Sequence, residues 1–352
     1  MNIAFVNSTR KWGGVKTWSI DMSESLIRHG HQAFIVGRPG AFVEKAAKLG
    51  IPAQAHAFGF DFNPLSIAYF LRYLSKNRID VLICNISKDL RTAGVAAKIL
   101  GIPIVHRLGA PQDVVDRFKT RITQRITGAH LLTNSDFVRD KLLNGVPLYK
   151  EYDFGAIFPG TKPNPVPPST CHNPRTIIAT SQLNPDKGHA HLLQAMASLK
   201  KRGYDFRCII VGTGKIEAQL QQMGRDLGID DLIEWTGFVT DVQAQLLRAD
   251  IFVLPTFCEP LGISLEEAMA NGLVPVARRA GGPREIWPPD LDHLLILPHS
   301  HKQGFETALA TLLDTPEDEL IAMKQYVHTH ASQTFSLDIQ AEKLLNWLKR
   351  FV

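Results

Sequence analysis

The chain of 352 residues is poor in cysteine: Cys84, Cys171, Cys208 and Cys258 stand far apart, with no CxxC pair. That argues against a disulfide framework and against a structural zinc site, and it suits a reducing cytosol. No stretch approaches the roughly 18 consecutive apolar residues that a spanning helix requires. The N-terminal MNIAFVNSTR lacks both the basic start and the apolar run of a secretion signal. Low-complexity segments and short-period repeats are missing too. So are a nucleic-acid-binding module and interleaved basic and aromatic platforms, and no nucleic-acid partner is expected. The GxG of VGTGKIE (211–217) lacks the third glycine of a dinucleotide fingerprint, which weakens a nicotinamide reading.

What is present fits a globular enzyme, with 45% apolar and 21% charged residues and length enough for two domains. The net charge of +5 is unevenly spread. Residues 1–170 hold 22 of the 39 Lys and Arg but 12 of the 34 Asp and Glu, so the first half is at +10 and the remainder at −5. A basic half can meet phosphates or an anionic membrane surface, or it can simply be solvated. Short continuous apolar runs alternate with helical patterns: NIAFVN (2–7), QAFIVG (32–37), DVLICN (80–85), PIVHRL (103–108) and HLLTNS (130–135). Such runs read as buried parallel strands of an α/β fold. Six prolines in 158–174 interrupt the pattern and read as a linker. The alternation restarts with TIIATS (176–181), FRCIIVG (206–212), LIEWTG (232–237), IFVLPT (251–256) and LVPVAR (273–278). The expected divisions are a domain over 1–157, the linker, a second domain over 175–335 and a terminal amphipathic helix over 336–352. That helix is expected to cross back to the first domain.

In such sheets ligands collect at the carboxyl ends of the strands. Gly13 and Gly14 follow the first strand, where a glycine pair either admits a phosphate or sugar to helix amides or makes a tight turn. Lys187 and Gly188 precede a helix after the first strand of the second half, placing an ammonium where it can meet a diphosphate or water alike. FCEPLGISLEEAMANG (257–272) carries Glu259 in a loop, then Gly262, then Glu267 inside a helix. Ser264 and Glu267 also fit a capping box. That device leaves Glu259, Gly262 and the later pair Gly281–Gly282 unexplained, whereas a nucleotide-diphosphate crevice accommodates them all. In it, free helix amides face the phosphates and Glu267 accepts from ribose hydroxyls. VVDRFKTRITQRITG (114–128) has Val114, Phe118, Ile122 and Ile126 on one helical face with Arg117, Lys119, Arg121 and Arg125 around it. It can lie on anionic lipid or bury its apolar face in a core.

The run from SQLNPDKG through VGTG and WTGFV to ADIFVLPTFCEPLGISLEEAMANGLVPVARRAGGPREI resembles the donor domain of retaining GT-B glycosyltransferases of family four. The likeness covers most of 175–298 and extends weakly over 1–155 through the GG loop and NSDFVRD (134–140). It implies two Rossmann-like doubly wound domains facing a central cleft, a nucleotide-sugar donor and a glycan or lipid-linked acceptor. It further implies transfer with retention, in polysaccharide or lipopolysaccharide synthesis, by a cytoplasmic or peripheral membrane protein. Uridine is the favoured base and guanosine the next. By the resemblance, Glu267 binds the ribose, Glu259 lies against the donor sugar, and Gly262, Ile263 and Ser264 give amides to the diphosphate. Lys187 neutralises that diphosphate, and the backbone near Phe238 touches the base. No cofactor or metal is expected, since amides and a lysine can stabilise the leaving group; DLD (290–292) reads as a solvated turn. Two departures stand out. Gln182 occupies the place of an arginine, so one diphosphate cation is missing or supplied elsewhere, for example by Arg279 or Arg284. His106 or Arg107 competes for the position beneath the donor sugar. A non-catalytic nucleotide-sugar or glycan binder on the same fold is the alternative.

Overall fold

In the computed structural model, which describes residues 1–298 and 300–352, the chain folds as two compact units. The first comprises Met1–Pro159 with Leu337–Val352, and the second Gly160–Ser336.

The first unit is built on seven parallel strands: β1 (Asn2–Asn7), β2 (Gln32–Gly37), β3 (Ala53–Ala55), β4 (Val81–Cys84), β5 (Ile104–Leu108), β6 (His130–Thr133) and β7 (Phe154–Ala156), in the order β3-β2-β1-β4-β5-β6-β7. Strand period two sends Ile3 and Phe5 to one buried layer and Ala4 and Val6 to the other. This is why each run is continuously apolar rather than alternating. The helix Leu337–Leu348 belongs to this unit, where Leu337, Ala341, Leu344 and Leu348 join the layer around Ile3 and Trp18. Each fully buried leucine contributes about 1.5–3 kcal/mol. Ser25 and Arg28 both donate to Asp338 at 2.6 Å, fixing the start of that helix.

The second unit repeats the plan with β8 (Thr176–Thr180), β9 (Arg207–Val211), β10 (Ile233–Gly237), β11 (Ile251–Leu254), β12 (Val274–Arg278) and β13 (Leu295–Ile296), all parallel, in the order β10-β9-β8-β11-β12-β13. Every strand expected from an apolar run is found. The three that were not anticipated, β3, β7 and β13, are two or three residues long and lie at or near sheet edges.

The proline-rich segment is not a free linker. From Gly160 onward it is pinned along the second unit. The Asn164 amide donates to Ala270 O at 2.9 Å, and the Lys324 ammonium reaches Thr170 O at 2.9 Å. Prolines leave fewer amides to satisfy, so the segment can lie flat on folded structure with few bonds. Its anchor is Asp250, fully buried ahead of β11. The carboxylate accepts from Lys324 at 2.8 Å and from the His172 and Thr176 amides at 3.1 Å. Burial by itself would raise the Asp250 pKa, but the Lys324 ammonium, the Thr176 amide and the His172 ring together hold it below its ordinary value.

Removing that charge strands a buried lysine. Asp250→Asn should cost about 3–5 kcal/mol at pH 7 by urea unfolding. Because the folded-state pKa is depressed, this stabilisation is present above an unfolded value of about 3.9 and is lost as pH falls through the lower folded value. The difference between the two proteins should therefore persist from neutrality to about pH 5 and shrink below pH 3.

Candidate nucleotide site in the second unit

The carboxyl ends of β8, β9 and β10 and the loop after β11 surround a cavity of about 830 Å³. Its walls come from Gln182 and Asn184 after β8, Gly212, Thr213, Gly214 and Lys215 after β9, Phe238 and Val239 after β10, and Ser264 and Glu267 beyond β11. Phe238 is 78% exposed, an apolar ring held at the rim.

The loop after β11 is set by backbone contact with the loop after β12. Glu259 pairs with Gly281 in an isolated parallel bridge; the Gly282 amide donates to Glu259 O at 2.9 Å. A Cβ on Gly281 would overlap the Glu259 carbonyl, and one on Gly282 the Pro260 carbonyl. The glycine pair is therefore explained by close approach of two chains. Its Gly282 amide is engaged there and is not open to a ligand.

Gly262 then takes φ 100°, a left-handed value that glycine tolerates, and the helix Ile263–Ala270 starts immediately after it. Ser264 is the second residue inside the helix, and the helix start has no side-chain cap. The capping-box reading of Ser264 and Glu267 is thereby removed. The two sit three apart on one helical face, which is the face lining the cavity. The Leu265 and Glu266 amides bond Gly262 O, while among the described residues the amides of Ile263 and Ser264 meet no acceptor. Glu266, on the opposite side, is fully buried with neither carboxylate oxygen bonded. Burial, and then the adjacent Glu267, push its pKa well above the ordinary value.

Lys187 ends the turn Pro185–Lys187, and its ammonium meets Glu259 Oε2 at 2.9 Å, each side chain about one-fifth exposed. The pair lies outside the lining of the cavity. Beside it, burial and then the Lys187 charge lower the His189 pKa to about 4, so the imidazole is neutral. Gln182 accepts from Asn184 at 3.1 Å. Arg279 and Arg284, named as substitutes for the missing arginine, are exposed and do not line the cavity; the cation that does is Lys215. Reading the sequence missed Lys215, Thr213 and Asn184. For the first two the signal was VGTGK itself, weighed only as a dinucleotide fingerprint, and Asn184 stood within SQLNPDKG.

Two family models divide the chain between them: Glycosyl transferases group 1 matches residues 167–328 and Glycosyltransferase Family 4 matches residues 12–150. Residues 167–328 belong to the group 1 glycosyltransferases, and the two glycosyltransferase models together cover most of the chain. Among curated relatives, a putative colanic acid biosynthesis glycosyltransferase of Escherichia coli is 27% identical over 54% of this chain and 48% of its own length. A GDP-mannose-dependent alpha-(1-6)-phosphatidylinositol monomannoside mannosyltransferase of Mycobacterium tuberculosis is 27% identical over 49% and 47%. The chain thus spans about half the length of these relatives. Among solved structures, a glycosyltransferase of Rickettsia africae aligns over 99% of this chain and 98% of its own, with TM-score 0.82 and 19% identity. Anabaena HepE in complex with UDP aligns over 99% and 100%, with TM-score 0.80 and 21% identity. These structures share the fold, and the α/β GT-B class expected from the sequence stands.

The remaining expected residues of this glycosyltransferase chain fall in the first unit or outside the cavity. His106 is 1% exposed within β5, and neither ring nitrogen has a hydrogen-bond partner. Burial, and then Arg91, lower its pKa to about 3. Its assignment beneath the donor sugar is corrected, because an enclosed neutral imidazole can reach no sugar. Arg107 is 5% exposed and stacks 4.4 Å from the Trp18 ring centroid, a packing role. Gly13 caps the helix Gly14–Arg28 in extended backbone, and a Cβ there would meet nothing within 4 Å. Asp290 and Asp292 lie exposed in the turn Pro289–Leu294, away from the cavity.

Ser264→Ala separates a cap from a wall residue. Loss of a true cap costs about 1 kcal/mol; here chemical unfolding should shift by less than about 0.5 kcal/mol. A full cap-sized loss would restore the capping-box reading.

Proposed function

We propose that this protein transfers a sugar from a nucleotide-sugar donor to a glycan or lipid-linked acceptor, with retention, in polysaccharide or lipopolysaccharide synthesis. The carrying observation is the second-unit cavity. It is enclosed by strand ends, walled by Ser264 and Glu267 from one helix start, and contained in the segment matching the group 1 model. A carboxylate beside an uncapped helix N-terminus suits a ribose joined to a diphosphate.

In this reading Glu267 accepts from the ribose hydroxyls, and the backbone near Phe238 and Val239 meets the base. The amides of Ile263 and Ser264 receive the diphosphate. As the glycosidic bond breaks, negative charge grows on that diphosphate, and donors already fixed in place stabilise it without reorganising. Lys187 supplies a cation at the sugar side and Glu259 orients it, the pair being formed before any ligand arrives. Lys215 takes over the charge that Gln182 lacks. Gly13 and Gly14 leave the first unit's helix start open to a phosphate or sugar. Uridine is favoured as the base, since HepE is solved with UDP and with UDP-glucose; guanosine is next, since curated relatives are described as GDP-mannose-dependent. Amides and lysines suffice for the leaving group in this scheme, so the reaction is proposed to need no metal.

The basic helix supports a membrane-facing acceptor side. The helix begins at Phe118, and the residues it buries are Thr123, Gln124 and Thr127. Phe118, Ile126 and the preceding Val115 are left 78%, 43% and 54% exposed. Arg121 and Arg125 stand exposed on the same helix, and Arg117 precedes it. An outward apolar stripe flanked by arginines is the arrangement that settles at an anionic interface. No helix among the described residues is long and apolar enough to cross a membrane.

Titration with UDP, GDP and other nucleoside diphosphates should give one preferred base. Glu267→Ala should weaken its binding at least about tenfold, the worth of a charged hydrogen bond, with the thermal midpoint unchanged. Equal affinity in the variant would remove Glu267 from the ribose. With a turned-over donor, Lys187→Ala should lower kcat, and NMR of the product should show the donor's anomeric configuration. Replacing Arg117, Arg121 and Arg125 by Gln should reduce binding to phosphatidylserine vesicles about a hundredfold at low salt, at about 1 kcal/mol for each arginine. Unchanged sedimentation with vesicles would retire the membrane side.

A further inference from the structure

The first unit holds a second cavity, of about 320 Å³, at the carboxyl ends of β1 and β2. Thr9, Arg10, Trp12, Lys16 and Arg38 line it, together with the start of the helix Ala41–Lys48. Lys16 is 6% exposed, and its ammonium donates to Thr9 O at 2.9 Å, 5.6 Å from the Phe42 ring centroid. Arg38 donates from Nε to Ser8 O at 2.6 Å, its guanidinium 5.7 Å from the Phe58 ring centroid. Arg10 is exposed at the mouth. Among the described residues none of these three cations has a carboxylate within ion-pair distance; their partners are carbonyls and rings. Glu44 in the first turn of the neighbouring helix is exposed and does not line the cavity.

Three like charges around one small cavity repel each other, and burial of Lys16 removes much of the water that would screen its ammonium. The Lys16 pKa is lowered, first by burial and then by the Arg38 charge. A buried lysine normally finds an acid. Here no acid among the described residues supplies the counter-charge, and an anion entering the cavity would do so. Trp12, 47% exposed at the rim with the Lys45 ammonium 5.4 Å from its ring centroid, offers an apolar face beside the cations. An aromatic face next to a cationic pocket suits a sugar ring that bears a charge.

We propose that this cavity is an anion subsite for a phosphate- or carboxylate-bearing sugar, with the charged group between Arg10, Lys16 and Arg38 and the ring against Trp12. That the sugar belongs to the acceptor rests on the transferase reading above; the anion site itself does not. The subsite would make the protein select acidic over neutral acceptor termini, because the neutral sugar leaves the repulsion unrelieved.

Glucose 6-phosphate, glucuronate, glucose and inorganic phosphate are titrated into the full chain by ligand-observed NMR, with Trp fluorescence in parallel. Both charged sugars should bind at least about tenfold more tightly than glucose, and more tightly than phosphate. Arg10→Gln and Arg38→Gln should each weaken them about tenfold, and Trp12→Ala should abolish the advantage over phosphate. Arg10 is exposed, so its variant will fold even where Arg38→Gln does not. Glu267→Ala should leave this binding unchanged. Glucose binding as well as glucuronate, loss of binding in Glu267→Ala, or competition by a nucleoside diphosphate would overturn the proposal. If nucleoside diphosphates bind nowhere while charged sugars bind here, the transferase reading fails and the subsite stands.

Discussion

The contact on which the candidate site depends is between two stretches of main chain. The backbone of Glu259 and Pro260 lies so close to Gly281 and Gly282 that no side chain fits between them. The contact holds the loop after β11 against the loop after β12. From there Gly262 turns the chain into a helix whose first amides are left without acceptors and whose Ser264 and Glu267 face a cavity. The same loop presents Glu259 to Lys187. A helix start and an acid are thus positioned by backbone packing, and the acid in turn meets the Lys187 ammonium through an ion pair.

The electrostatic contrast between the halves takes a structural form. In the second unit, the buried Asp250 is matched by Lys324, His172 and two amides, while the buried Arg278 rests on carbonyls, His191 and two phenyl rings. In the first unit, Arg10, Lys16 and Arg38 share a cavity without an acid, and Phe118 and Ile126 stand outward beside arginines. Unneutralised charge costs free energy in the isolated molecule and is tolerated where an outside group completes it. The unevenness along the sequence thus belongs in part to particular places rather than to a diffuse surface.

Much of the fold was legible in the residues. Buried parallel strands must be apolar on both faces, so ten of them stood out as continuous runs, and helices between them followed. The short strands β3, β7 and β13 carry too few residues to show a period, and they exist because a neighbouring strand offers its edge. The proline-rich stretch misled for a similar reason. Composition excluded helix and central strand, but not an extended path fastened by Asp250 and Lys324, which are 74 residues apart.

What the sequence determined by itself was the alternation of strands and helices, the placement of chemistry at strand ends, and the pairing of Glu259 and Glu267 about Gly262. Those are local properties, written in period and spacing. Which groups meet was decided by tertiary structure: that Ser264 sits inside a helix and not at its cap, that His106 is sealed within β5, and that Lys215 reaches the cavity while Arg279 and Arg284 do not. Whether a side chain is walled in, paired or open depends on elements distant in sequence, and spacing along one segment carries no record of them.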